Sequence, residues 1–375
     1  MIVAQYYKST AEEIHKIIRS REPFIVSGMC ESGKNLTYRQ TQDLLLSSKV
    51  VANIFLIDLV GINLSNDQIT IKQLGTTSSE KINSYELDSY IHNNYSLVET
   101  TILVNLSDNE SEDDLPILKQ LINLRSSLGT KFSFGLFSYV NLINQIKDNP
   151  SLDNLLSRKL IKLMPLDLNN SLTMIDRNEQ LFSLRLSDSQ KKNIHKLSGG
   201  NPGLIKTLVQ HIFDEKNRTD TFFDDQQVIW RLNRIIEGLS EQQLEVLKQI
   251  AKGNKIKSDN QEISFLLNWG FLTADNKDIF SKLLEHFLKN TNKLANPNII
   301  LTATELKIYN FFQDNLNSLV SREQLAEIIW GTSFIESYSD YAIDRHISNL
   351  RKKISSNNLT MKIETQKAKG FLASR

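Results

Sequence analysis

Between Gly28 and Asn35 the chain reads Gly-Met-Cys-Glu-Ser-Gly-Lys-Asn, two glycines with four residues between them and a lysine after the second. That spacing suits chemistry on phosphate. Loop amides and the first turn of a following helix point at an anion, and the lysine reaches the outer phosphates. Gly28, Ser32, Gly33, Lys34 and Asn35 are therefore candidate nucleotide-binding residues, with ATP or ADP as ligand. Asn35 stands where a serine or threonine hydroxyl ordinarily holds Mg2+, and an amide oxygen is a weaker ligand for so hard a cation.

The other half of such machinery is an acid pair at the end of a buried strand. Taking the strand in ETTILVNLSDNE as Ile102 to Leu106 puts Ser107 and Asp108 at those places rather than an Asp-Glu pair, so hydrolysis is expected to be slow or absent. Asp58 ends an earlier strand and receives no role. No catalytic residue is assigned. Six histidines and the single cysteine, Cys30, show no metal-ligand spacing, so no metal site and no disulfide framework is expected. His195 and Cys30 read as packing residues.

A second constellation lies near the C-terminus. Ile343, Ile347, Leu350 and Ile354 recur at helical spacing, which turns Tyr341, Arg345, Ser348, Asn349 and Lys352 to the opposite face. From Arg345 to Arg375 eight basic residues face one acidic residue, net +7, within a chain whose formal charge is only +1. A polar, basic helix face of this kind suits the major groove of double-stranded DNA, arginine and asparagine meeting base edges and lysine meeting phosphates.

These residues need elements to hold them. PFIVSG, NIFLIDL, ETTILVNL and KFSFGLF are short apolar runs separated by helix-length stretches, one running to about Ser48 and one from about Leu115 to Leu128. This is the pattern of buried parallel strands with crossover helices. From about Ser151 to Ile236 the pattern becomes helical, broken at Gly199, Gly200 and Pro202. Ser240 with Gln243 is a capping box opening a smaller module, and the Asn-rich stretch 290–299 reads as a linker. Beyond it Thr302 with Glu305, Ser321 with Gln324, and Ser339 mark three helix starts. The expected fold is multidomain: an α/β P-loop parallel-sheet domain (1–150), a helical lid (151–236), and two small α+β winged helices (237–289 and 300–375).

The segments LTATELKIYNFF, SREQLAEIIWG, SDYAIDRHISNLRKKI and MKIETQKAKGFL resemble, in order and spacing, the OmpR/PhoB-type winged-helix domain over about Leu301 to Arg375. The resemblance implies base-directed roles for Arg345 and Asn349 and phosphate roles for His346, Ser348 and Arg351, with Lys352 beside them. It also implies a wing that carries Lys367 and Lys369 to the adjacent groove. Ala368 departs from the glycine usual in that wing. Residues 10 to 290 resemble the STAND and archaeal-type branch of the AAA+ ATPases, through the P-loop, KLIKLMPLDLNNS, KLSGGNPGLIKTL and IFSKLLEHFLK. That resemblance implies that Asn201 and Pro202 sit near an adenine.

Composition excludes some classes. Hydrophobic residues at 40% and charged residues at 23% are those of a globular chain, and no apolar run reaches the roughly twenty residues that span a bilayer. A cytoplasmic protein without a membrane partner is expected. Three functions fit: a DNA-binding regulator switched by nucleotide, an active DNA-associated ATPase such as a loader or remodeller, and a degenerate ATPase scaffold for protein partners in a defence or mobile-element system. The first expects double-stranded DNA, nucleotide, and a protein partner or a second copy as partners.

Overall fold

A computed structural model describes residues 7–48, 53–60, 68–106, 115–140, 142–143, 159–214, 222–223, 225–254, 260–275, 277–290, 303–330, 340–356, 361–366 and 370–374. The chain divides into two compact units, 1–220 with 235–288, and 221–234 with 289–375.

The first unit is built on a seven-stranded sheet. Its strands are β1 (Phe24–Gly28), β2 (Asn53–Asp58), β3 (Gln68–Gln73), β4 (Ser79–Asn83), β5 (Thr100–Asn105), β6 (Phe132–Tyr139) and β7 (Leu160–Leu163), in the order β4-β3-β2-β5-β6-β1-β7. β2, β5, β6, β1 and β7 run parallel, whereas β3 and β4 extend the sheet as an antiparallel hairpin. Every residue of β1, β5 and β6 is buried, which is why these strands read as continuous apolar runs. Helices α1 (Lys8–Ser20), α2 (Lys34–Ser47), α3 (Leu87–Tyr95) and α4 (Leu115–Leu128) accompany the sheet. The chain leaves β1 for α2 and returns three strands away at β2, with β6 and β5 between, so the carboxyl ends of β1, β6, β5 and β2 flank a switch point, the usual ligand crevice of such sheets.

Two expectations need correction here. Residues 160–163, placed in the helical lid, form β7 and pair with β1. The run is too short for periodicity to separate strand from helix, and only the vacant edge of β1 decides it. Residues 221–234, also placed in the lid, belong with the C-terminal unit. An amphipathic helix pattern says that a face is buried but not by which neighbour.

The lid consists of α5 (Leu168–Phe182), α6 (Asp188–Ser198) and α7 (Pro202–Asp214). Asp167 caps α5, and Ser187 with Gln190 forms a capping box on α6. Gly199 closes α6 in the left-handed region, and α7 begins with Pro202, whose missing N–H costs nothing in a first turn. After α8 (Gln226–Glu237) come α9 (Glu241–Ala251), opened by the expected Ser240–Gln243 capping box, α10 (Gln261–Asn268), a β-bridge between Leu272 and Ile279, and α11 (Lys282–Asn290). Ser281 ties this module to the lid by donating its hydroxyl to Leu197 O at 2.6 Å.

In the second unit α12 (Ala303–Asp314), α13 (Arg322–Trp330) and α14 (Asp340–Ser356) pack with a three-stranded antiparallel sheet of β8 (Leu319–Val320), β10 (Gly370–Ser374) and β9 (Lys362–Gln366). Its core includes Ile308, Phe312, Leu325, Ile343, Ile347, Leu350, Ile354 and Phe371, all at most 5% exposed. Ser321 and Gln324 cap α13 reciprocally. Thr302 and Ser339 lie outside the described residues; Glu305, expected to pair with Thr302, accepts from Lys353 Nζ on α14 at 2.7 Å while only 3% exposed.

Candidate functional site

The loop after β1 is set by its neighbours. A Cβ at Gly28 would come within 2.6 Å of Leu163 O and Ser32 Oγ, so only glycine lets β7 and the loop close on each other. Gly33 has φ 96° and Glu31 has φ 66°, two left-handed residues of the kind from which an anion nest is built, and between them the Ser32 amide donates to Met29 O at 3.1 Å. For Glu31 that conformation costs about 1–2 kcal/mol. Three successive loop carbonyls accept from outside the loop. Cys30 O takes Asn201 Nδ2 at 3.3 Å, Glu31 O takes the Gly203 amide at 3.2 Å, and Ser32 O takes the Tyr7 hydroxyl.

Lys34 is fully buried. It donates to Leu106 O at 2.5 Å and lies 4.3 Å from the centroid of the Tyr139 ring at the end of β6. A carbonyl dipole and a π face thus hold the buried ammonium at the end of the loop, where a phosphate would meet it. Ser32 Oγ is buried without a hydrogen-bond partner, a vacancy that a phosphate oxygen would fill.

The magnesium corner differs from its sequence reading. β5 ends at Asn105, not at Leu106, and Asn105 is the residue that meets the loop: its Nδ2 donates to Asn35 Oδ1 at 3.0 Å and to Asp58 Oδ1 at 3.1 Å. Ser107 and Asp108 lie outside the described residues. Asp58, left without a role from sequence, reaches this network because β2 lies beside β5 with Asp58 in register with Asn105. An amide nitrogen therefore stands between the two oxygens that a cation would need, and a donor cannot ligate a metal. The residues present do not fit magnesium. Among the described residues no cluster of three or more His, Cys, Asp or Glu could hold a metal.

Sequence reasoning missed Tyr7, Asn105, Asp58 and Tyr139. Only the residue type of Asn105, a polar group ending an apolar strand, was a visible signal. Asn201, assigned to the adenine by resemblance, meets the loop after β1, and both ends of its amide are engaged, Nδ2 on Cys30 O and Oδ1 capping the amide of Leu204 at 3.1 Å. Pro202 is buried at the start of α7.

In the C-terminal unit, Ile343, Ile347, Leu350 and Ile354 face the core, leaving Ser348 and Lys352 exposed and His346, Asn349 and Arg351 half-buried on the other faces of α14. Residues 296–373, about a fifth of the chain, match the family described as "Transcriptional regulatory protein, C terminal". The C-terminal module is a winged helix of the OmpR/PhoB type.

In this winged helix α14 is the third helix and β9 and β10 form the wing strands. Arg351 joins the two: its Nε donates to Ile363 O and its Nη2 to Thr365 Oγ1, each at 2.8 Å, and its guanidinium lies 5.9 Å from the Phe371 ring. Arg322 of α13 lies 5.1 Å from the same ring and binds Asp344 at 2.7 Å. The phosphate role implied for Arg351 thus meets a guanidinium already turned to the wing. The side chains of Tyr341 and Arg345, and all of Lys367, Ala368, Lys369 and Arg375, lie outside what the structure describes.

No curated protein matches the chain in sequence. Among solved structures, a Walker-type ATPase of Pyrococcus abyssi is similar at 12% identity and TM-score 0.46, over 75% of this chain and 95% of its own. The Aeropyrum pernix ORC1 protein in complex with DNA is similar at 7% identity and TM-score 0.40, over 98% and 88%. The Thermotoga maritima RuvB Holliday junction branch migration motor follows at 14% identity and TM-score 0.38, over 73% and 92%. Likenesses this distant carry no functional conclusion. No helix among the described residues is long and apolar enough to cross a membrane.

Proposed function

We propose that this chain is a cytoplasmic, DNA-binding transcription regulator in which a STAND-like P-loop module binds ATP or ADP and acts as a switch with little or no hydrolysis. The observation that carries the DNA half is the division of α14. Four buried aliphatic residues fix one face, which leaves Ser348, Asn349 and Lys352 opposite them in a family-matched winged helix. Arg345 and Asn349 would meet base edges, with His346, Ser348, Lys352 and the wing lysines Lys367 and Lys369 on phosphates. Gly28, Ser32, Gly33 and Lys34 would hold the phosphates, with Asn35 engaged by Asn105 instead of a cation. The proposed modules are the sheet with its lid, the small winged helix at 237–289, a linker at 290–299 and the DNA-binding module at 300–375.

The DNA half is tested by selecting bound fragments from a random duplex pool with the parent and with Arg345→Ala plus Asn349→Ala. Loss of sequence preference with residual salt-dependent binding is expected; an unchanged preference would remove direct readout by α14. The nucleotide half is tested by titrating purified protein with ADP and ATP and measuring phosphate release from the same sample. Tight binding with negligible release is expected.

A second reading, a DNA-associated ATPase, would draw on Asp58, whose Oδ1 accepts from Asn105 Nδ2 at 3.1 Å at the end of β2. Steady phosphate release, raised by DNA and abolished by Lys34→Ala, would select it.

A further inference from the structure

We infer that Tyr7, Asn201 and Gly203 are positioning residues that build the phosphate nest from behind, and that through the last two the lid helix α7 is coupled to occupancy of the nest. This rests on the proposed nucleotide site.

The argument starts from the strain at Glu31. A non-glycine residue at φ 66° persists only where its surroundings hold it there, and such residues gather at binding sites. Here the restraint is visible. The carbonyls of residues 30, 31 and 32 are turned toward donors outside the loop, accepting from Asn201 Nδ2, the Gly203 amide and the Tyr7 hydroxyl. All three donors belong to buried or nearly buried groups, with Tyr7 at 4% and Asn201 at 0% exposure. The Tyr7 ring also packs on Gly33, where an added Cβ would fall 2.7 Å from its Cε2. Because the C=O and N–H of one trans peptide oppose each other, turning these carbonyls outward turns the amides of residues 31, 32 and 33 the other way; of these the Ser32 amide closes a turn on Met29 O at 3.1 Å, and those of Glu31 and Gly33 flank it as the donors we assign to an anion.

The donors come from two places in the chain. Tyr7 precedes α1. Asn201 and Gly203 begin α7, and Asn201 also caps that helix through its Oδ1 on Leu204 N. Any displacement of the loop on phosphate binding is therefore transmitted to the first turn of α7, and loosening of α7 releases two of the three carbonyls. By reciprocity a ligand that favours the ordered nest also favours the docked lid.

The test uses the full chain and two substitutions that spare packing. Tyr7→Phe keeps the ring on Gly33 and removes the hydroxyl; Asn201→Ser keeps a helix cap and removes the donor to Cys30 O. Each is expected to weaken ADP binding by about three- to tenfold, the usual worth of one buried hydrogen bond, and to lower melting of the nucleotide-free protein by no more than the few degrees such a bond is worth. Hydrogen exchange supplies the readout that a merely structural role would not move. ADP should slow exchange across 202–214 in the parent, and Asn201→Ser should lose most of that protection even at saturating ADP. Parent-like ADP affinity in both variants would overturn the positioning role. ADP binding with no change across 202–214 would overturn the coupling. A parent that binds no ADP would overturn this inference together with the nucleotide half of the proposed function, an outcome recognised because it appears before any substitution is made.

Discussion

Asn105→Asp is the most exacting probe of the corner between β5 and the loop. Asn105 is 2% exposed, and its Nδ2 satisfies Asn35 Oδ1 at 3.0 Å and Asp58 Oδ1 at 3.1 Å. The substitution replaces that donor with an acceptor and sets a carboxylate against the Asp58 carboxylate. Two unit charges about 3–4 Å apart repel by about 4–5 kcal/mol at an effective dielectric of 20. Asp58 is exposed, and solvent screens about half of this, leaving roughly 2–3 kcal/mol. The two lost hydrogen bonds add about 1–2 kcal/mol. We therefore expect about 3–5 kcal/mol of destabilisation at pH 8, measured by denaturant unfolding. The sign with pH follows from the new carboxyl, whose folded pKa is raised above its unfolded value of about 3.9. The penalty is full above the folded pKa, shrinks as pH falls and is gone only below the unfolded value, so the gap between variant and parent narrows from pH 8 to pH 5 and reaches its hydrogen-bond remainder below about pH 4. Millimolar magnesium should recover stability in the variant and not in the parent. A variant as stable as the parent at pH 8, or one equally destabilised at pH 5 and 8, would refute the placement of Asn105 between two oxygens.

Other expectations follow from single contacts. Arg351→Ala should destabilise the C-terminal unit by about 1–3 kcal/mol in denaturant unfolding, because Ile363 O and Thr365 Oγ1 lose a charged donor; if Arg351 served only as a phosphate contact, stability would stay and only the salt slope of DNA binding would fall by about one. Gly33→Ala should abolish ADP binding in calorimetry, since φ 96° is strained for alanine and its Cβ would strike the Tyr7 ring. His195 is held below its ordinary pKa by burial, partly offset by Asp167. A depressed histidine keeps its stabilising contribution above the unfolded pKa of about 6.5 and loses it as pH falls through the folded value, so unfolding free energy should drop below about pH 6.5 and drop less in His195→Gln.

Much of the architecture was legible because it rests on local rules. The apolar runs PFIVSG, NIFLIDL, ETTILVNL and KFSFGLF announced buried parallel strands, and strands lie at 24–28, 53–58, 100–105 and 132–139. Ser240 with Gln243 and Ser321 with Gln324 announced helix starts, since a capping box needs only residues three apart. The core face of α14 followed from period 3.6 alone. The placement of β7 was not legible, nor was the transfer of 221–234 to the second unit, because each depends on which surface is vacant elsewhere in the fold.

The same line divides the site. The spacing of Gly28, Gly33 and Lys34, and the basic surplus after Arg345, are properties of the chain itself, fixed by residue order because loops and single helices gather their own neighbours. The corner made by Asn35, Asn105 and Asp58 joins residues 70 and 47 positions apart, and the loop carbonyls meet partners from residue 7 and residues 201 and 203. Those meetings were decided only by strand order and by where α7 starts. Hydrogen bonds act over about 3 Å, and no spacing along the chain reports a distance of that size between segments so far apart.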